Sequence, residues 1–85
     1  MDIREVFARN LRRYRRKAGL SQEELAHRAE IDRTYISSLE RCLYAASIDV
    51  VDRLARALEL QAADLLLRPL TSRARKARNA LVDER

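Results

Sequence analysis

A single glycine, Gly19, and a single proline, Pro69, are the strongest backbone punctuators in a chain of 85 residues. Two-residue hairpin turns depend on conformations that glycine supplies most readily, so such a chain cannot be assembled from many hairpins. The residues that dominate instead are alanine, leucine, arginine and glutamate, all good helix formers. The expected fold class is all-α. A chain of this size buries only roughly 60–65% of its unfolded surface, which leaves no room for a second core or a large internal cavity. A multidomain enzyme is excluded on that ground.

Cys42 is the only cysteine, so no intrachain disulfide can form, and with one histidine in the chain no His/Cys metal cluster is in view. The expectation is a reducing, cytoplasmic setting with no metal and no cofactor. The start, Met1-Asp2-Ile3-Arg4-Glu5, has no apolar signal core, and the longest apolar run, Cys42 to Ala46, is too short to cross a bilayer. No membrane partner is expected. The net charge is +5, and 16 of the 18 cations are arginines, the other two being Lys17 and Lys76. The planar guanidinium suits phosphates and base edges, whereas an arginine-rich genome would give the same count without a polyanion partner. Position along the chain must separate the two.

Helical periodicity recurs through most of the sequence. Ile3, Val6, Phe7, Leu11, Tyr14 and Ala18 form an apolar stripe on a first helix from about Ile3 to Lys17, which Asp2 can cap and Gly19 terminates. Ser21 and Glu24 form a capping box ahead of a short second helix that buries Leu25, Ala26 and Ala29. Asp32 caps a third helix, Arg33 to about Arg41, which is apolar only at Ile36 and Leu39 and otherwise presents hydrogen-bonding side chains. Ser47 opens a fourth, with Ile48, Val51, Leu54, Ala55 and Leu58 in helical period. A fifth runs from Ala62 to about Leu67 and stops near Pro69. Residues 69–85 form a basic C-terminal helix or tail, with Arg73, Arg75, Lys76 and Arg78 around a thin stripe of Leu70, Ala74, Ala77 and Leu81.

Two short helices with a brief connection, the second polar along one face, make the sequence picture of a helix-turn-helix over residues 21–41, within a domain of residues 1–68. The DNA major groove admits one helix, which must offer donors and acceptors to base edges while a companion helix holds it at the backbone. The stretches Leu20-Ser21-Gln22-Glu23-Glu24-Leu25-Ala26, Ile31 to Arg41, and Ser47-Ile48 into Leu54-Ala55 resemble the lambda-repressor-like helix-turn-helix family. The resemblance covers Phe7 to Leu67 and implies a five-helix, non-enzymatic DNA-binding domain, with the tail as an extra helix. It implies base readout by Arg33, Thr34, Ser37 and Ser38, and phosphate contacts by Gln22, Tyr35 and Arg41. It also implies a structural ion pair between Arg15 and Glu40.

The surplus of leucine near the end, Leu66, Leu67 and Leu70, is read as a homodimer interface, in keeping with relatives that dimerise through their C-terminal helices. The function implied is a dimeric transcriptional regulator on an inverted-repeat operator in double-stranded DNA, repressing by occlusion or activating through contact with RNA polymerase. A restriction–modification controller, an antitoxin-type autoregulator and, from another class, a protein-interaction module are the alternatives. Three positions depart from the family pattern: Cys42 stands where glycine usually follows the recognition helix, Ala46 where proline is common, and Glu30 at a turn where relatives often have glycine. Arg12, Arg13, Arg16 and Lys17 read first as a solvated basic face, with a footprint near DNA as the alternative, and Arg9 reads as part of the solvated face. His27 reads as surface, and Cys42 as a small packing residue.

Overall fold

The computed structural model describes residues 1–68, and four of its five helices begin where a short polar side chain takes up a free backbone N–H. Helix α1 spans Ile3–Lys17 behind Asp2, α2 spans Gln22–Ala29 behind Ser21, and α3 spans Arg33–Glu40 behind Asp32. Helix α4 spans Ile48–Ala57 behind Ser47, and the short α5 spans Ala62–Leu66. At α2 the box is reciprocal: the Ser21 hydroxyl accepts from the Glu24 N–H and the Glu24 carboxylate accepts from the Ser21 N–H, each at 3.0 Å. Those two contacts with Ser21, backbone first, hold the Glu24 carboxyl below its usual range.

The first four helices share one way of stopping. Each runs into a left-handed residue, Gly19, Glu30, Cys42 or Glu59, with φ of 73, 56, 61 and 59°. The next residue is apolar, and its N–H reaches back five residues: Leu20 to Arg15, Ile31 to Ala26, Leu43 to Ser38, and Leu60 to Ala55, at 2.8–3.1 Å. This double closure satisfies end carbonyls and turns the chain sharply. The sequence signals only Gly19 clearly, because glycine alone adopts that conformation without a Cβ penalty. Glu59 carries no signal at all and reads as a plain linker.

Helix α1 packs on α3 and α5, α2 on α3 and α4, and α4 on α5. The core gathers Phe7, Leu11, Leu25, Ile36, Leu39, Val51, Leu54 and Leu65 from all five helices. Three expectations about apolar periods need correction. Ile48, expected to share the buried period of α4, is 87% exposed. It occupies the first position of α4, where the chain enters from a surface loop and the helix has not yet turned onto the core. Ile3 and Ala18, at the two ends of the α1 stripe, are likewise exposed, because the partner helices cover only the middle of α1.

Asn10, a polar residue to which the apolar period assigns no role, is buried within α1. Its amide donates to the carbonyls of Leu65 and Leu67, both at 2.9 Å, and so caps the end of α5 from across the core. A signal was present: Asn10 lies one turn from Val6 and Tyr14, inside the apolar stripe, and a polar side chain at such a place needs a partner.

Candidate nucleic-acid interface

Helix α3 divides into two sides. Ile36, Leu39 and Glu40 are buried. Arg33, Thr34 and Arg41 are exposed and Ser37 and Ser38 half-exposed, and their spacing of three and four residues puts them along one face. Arg33, Thr34 and Ser37 line a shallow hollow at the start of that face. The α3 N-terminus is held by Asp32, whose carboxylate accepts from the Thr34 N–H at 2.7 Å. The five side chains therefore offer guanidinium forks and hydroxyls to whatever approaches, on a helix whose backbone is closed at both ends.

The buried side is organised around one carboxylate. Glu40 has a fully buried side chain and accepts two parallel hydrogen bonds from Arg15, Nε at 2.6 Å and Nη2 at 2.9 Å. Arg15 also donates through Nη1 to the Leu20 carbonyl at 2.9 Å, tying the pair to the α1–α2 turn. The sequence suggests the pair but not its company. The Gln22 amide donates to Glu40 at 3.1 Å, and Arg12 donates to the Glu40 carbonyl at 3.1 Å while its guanidinium stands 3.6 Å from the carboxylate. Burial pushes the Glu40 carboxyl up, but the hydrogen bonds from Arg15 and Gln22 with the charges of Arg15 and Arg12 outweigh it and hold it below the usual carboxylate range. The same bond to Glu40 raises Arg15. No buried side-chain donor or acceptor among the described residues lacks a partner.

Of the side chains singled out for phosphate contact, Arg41 is exposed at the end of α3 and Gln22 is half-buried at the start of α2. Gln22 commits one amide N–H to Glu40, leaving its second N–H and its carbonyl. Tyr35 is half-buried against the rim of the core, with its ring 6.4 Å from that of Tyr44 in the following loop. Tyr14 is also half-buried against the core, beneath the Arg13 guanidinium at 5.9 Å from the ring centre. Cys42 is a free thiol, half-buried, in the left-handed position after α3. His27 is exposed, and no group of His, Cys, Asp and Glu among the described residues could hold a metal.

Leu66 and Leu67 are 40% and 46% exposed, while Leu70 and the basic residues 71–85 lie outside the described residues. Leu66 joins Ile3, Phe7, Tyr44, Ala46 and Val51 around an apolar hollow of about 80 Å³. No described helix is long and apolar enough to cross a membrane.

A short helix anchored from behind, wet in front and preceded by a capped companion defines the helix-turn-helix class. Residues 6–69 match the helix-turn-helix domain family, and the chain belongs to it. It is 43% identical over 68 residues to a hypothetical transcription factor of Neisseria meningitidis serogroup B, across 80% of this chain and 64% of that protein. It is 43% identical, again over 68 residues, to the control protein C.SmaI of Serratia marcescens, across 80% of this chain and 81% of that one. The crystal structure of the restriction–modification controller protein C.AhdI from Aeromonas hydrophila superposes with a TM-score of 0.71 at 35% identity, covering 73% of this chain and 94% of its own. The all-helical fold and the lambda-repressor-like resemblance agree with these relatives, which are named as regulators and controllers rather than as enzymes. The chain spans just under two thirds of the Neisseria protein's length.

Proposed function

We infer that the protein is a sequence-specific DNA-binding transcriptional regulator that acts as a dimer without catalysis. The observation that carries this reading is the division of α3: one side is locked by Glu40, Ile36 and Leu39, and the other offers Arg33, Thr34, Ser37, Ser38 and Arg41 on a rigid face. Such a face fits the major groove, where a guanidinium bidentate to guanine contributes about 1–3 kcal/mol of discrimination and hydroxyls pair with less selectivity. Arg33 is the principal reader, Thr34, Ser37 and Ser38 its neighbours at the base edges, and Gln22, Tyr35 and Arg41 the groups that hold the flanking strands. The exposed Leu66 and Leu67, beside an apolar hollow, support pairing of two copies through this end. A two-fold dimer would set two α3 helices about one DNA turn apart, on an inverted repeat.

Among the regulators, a restriction–modification controller is favoured by the names of C.SmaI and C.AhdI. Such a protein would work in the cytoplasm, blocking a promoter or touching RNA polymerase beside it. Selection of bound duplexes from a random pool tests the reading directly. An inverted repeat with half-sites one turn apart is the expected product; salt-insensitive capture of a protein partner with no enriched duplex would overturn it.

A further inference from the structure

We propose that the groove between α1 and the end of α3 is a second DNA-phosphate surface, which carries the backbone contacts beyond α3 and along α1. The proposal rests on the DNA-binding reading above. The groove is open, about 550 Å³, and lined by Arg9, Arg12 and Arg13 from α1 and by Arg41 and Cys42 from the end of α3. Arg41 belongs to both surfaces: it ends the polar face of α3 and begins the groove. A strand held at Arg41 therefore meets the α1 arginines next.

Three observations set these cations apart from an ordinary solvated helix face. Arg9 and Arg13 are exposed, stand one helical turn apart, and make no ion pair among the described residues. Like charges at that spacing repel and weaken a helix. Second, the negative end of α3 points into this groove and would ordinarily repel an anion. Its last carbonyls are all occupied, Ser37 by Arg41 N–H, Ser38 by Leu43, Leu39 by Cys42, and Glu40 by the Arg12 guanidinium. Third, the carboxylates at the groove leave Arg9, Arg13 and Arg41 without an ion pair among the described residues. Glu40 is taken up by Arg15 and by Arg12, 3.6 Å away, and Glu5 stands at the far end, a turn before Arg9. What remains facing outward is a line of arginines with its anion-repelling features blocked.

The test is the salt dependence of binding by the full chain. Each phosphate contact contributes about 0.9 to the slope of log affinity against log salt on duplex DNA. Replacing both arginines, Arg9→Gln with Arg13→Gln, is expected to lower that slope by about two and to weaken binding at 0.1 M salt about tenfold or more, on preferred and random duplexes alike. The selected half-site sequence is expected to stay the same. The charge-preserving pair Arg9→Lys with Arg13→Lys is expected to keep the wild-type slope, which a packing role for the guanidinium groups would not give. Equal helix content and melting of the three proteins checks the fold. An unchanged slope and affinity in the Gln pair, with wild-type binding intact, would overturn the groove and leave the DNA reading standing. Failure of the wild-type chain to bind any duplex would remove both.

Discussion

The two sides of α3 differ in how their polar groups are matched, and the difference separates what holds the fold from what the fold is for. Behind the helix, Glu40 meets Arg15, Gln22 and Arg12, so the one buried carboxylate is fully matched inside the domain. In front, Arg33, Thr34 and Ser37 line a hollow with no ion pair to another described residue. A reading helix with loose anchorage would lose binding energy to its own motion, since ordering side chains and backbone on contact is unfavourable. Fixing the back allows the front to stay unpaired and still be well placed. One eight-residue helix thus carries a stabilising half and a binding half, and changes to either should show in different measurements.

The largest effect is expected from breaking the back. Glu40→Ala leaves the Arg15 guanidinium without its buried partner, and loss of about 3–5 kcal/mol of stability is expected by chemical denaturation. For a domain of this size that is enough to unfold much of the population. Wild-type stability in this variant would contradict a stabilising role for the buried side of α3. Next comes the front: Arg33→Ala is expected to lose about 1–3 kcal/mol of discrimination at one operator position, with melting almost unchanged. If binding to all duplexes weakens alike instead, Arg33 holds a phosphate and the readers lie elsewhere on the face.

Asn10→Ala sharpens the comparison at a site far from α3. It strips two carbonyls at the end of α5 of their buried donor, and about 1–3 kcal/mol is expected to be lost. Acid should act on the back before the front. Because the folded state holds Glu40 below the usual glutamate value of about 4.3, its contribution is complete above that pH and is lost as pH falls through the lowered value. Glu24 shifts in the same sense. A Glu40→Gln variant is expected to show a shallower fall of melting temperature between about pH 5 and 2, which a pH series of thermal melts would reveal. The smallest effect is Cys42→Gly, expected to raise stability by about 0.5–1 kcal/mol by relieving the left-handed φ of 61°, with base preference unchanged.

Much of the fold was legible because its signals are local. Asp2, Ser21, Asp32 and Ser47 cap the helices they were expected to cap, since a capping side chain reaches a backbone N–H only two or three residues away. The helix bounds follow from the same short-range chemistry. Burial at helix ends was less legible: Ile48 fits the period of α4 and is exposed, because periodicity assigns a face but not whether a neighbour covers it. Leu43 shows the same gap. Leu20, in the matching position after α1, is buried, whereas Leu43 is 54% exposed beside Tyr44, although both close a helix with the same hydrogen bond.

By itself the sequence determined an all-α chain, its helix starts, its one glycine-marked turn, and the polar face of α3 with the residues placed along it. Each of these depends on neighbours within a turn or two. Only the tertiary structure decided that Arg12 and Gln22 join Arg15 at Glu40, that Asn10 closes α5, and that the α1 arginines share a groove with Arg41. Those contacts join residues 18–57 positions apart or lie between separate helices, and no local rule of spacing or propensity reaches that far. The single glycine that excluded hairpins also understated the turns, since Glu30, Cys42 and Glu59 adopt the same left-handed state. The hydrogen bonds and packing of the assembled bundle hold them there against their intrinsic preference.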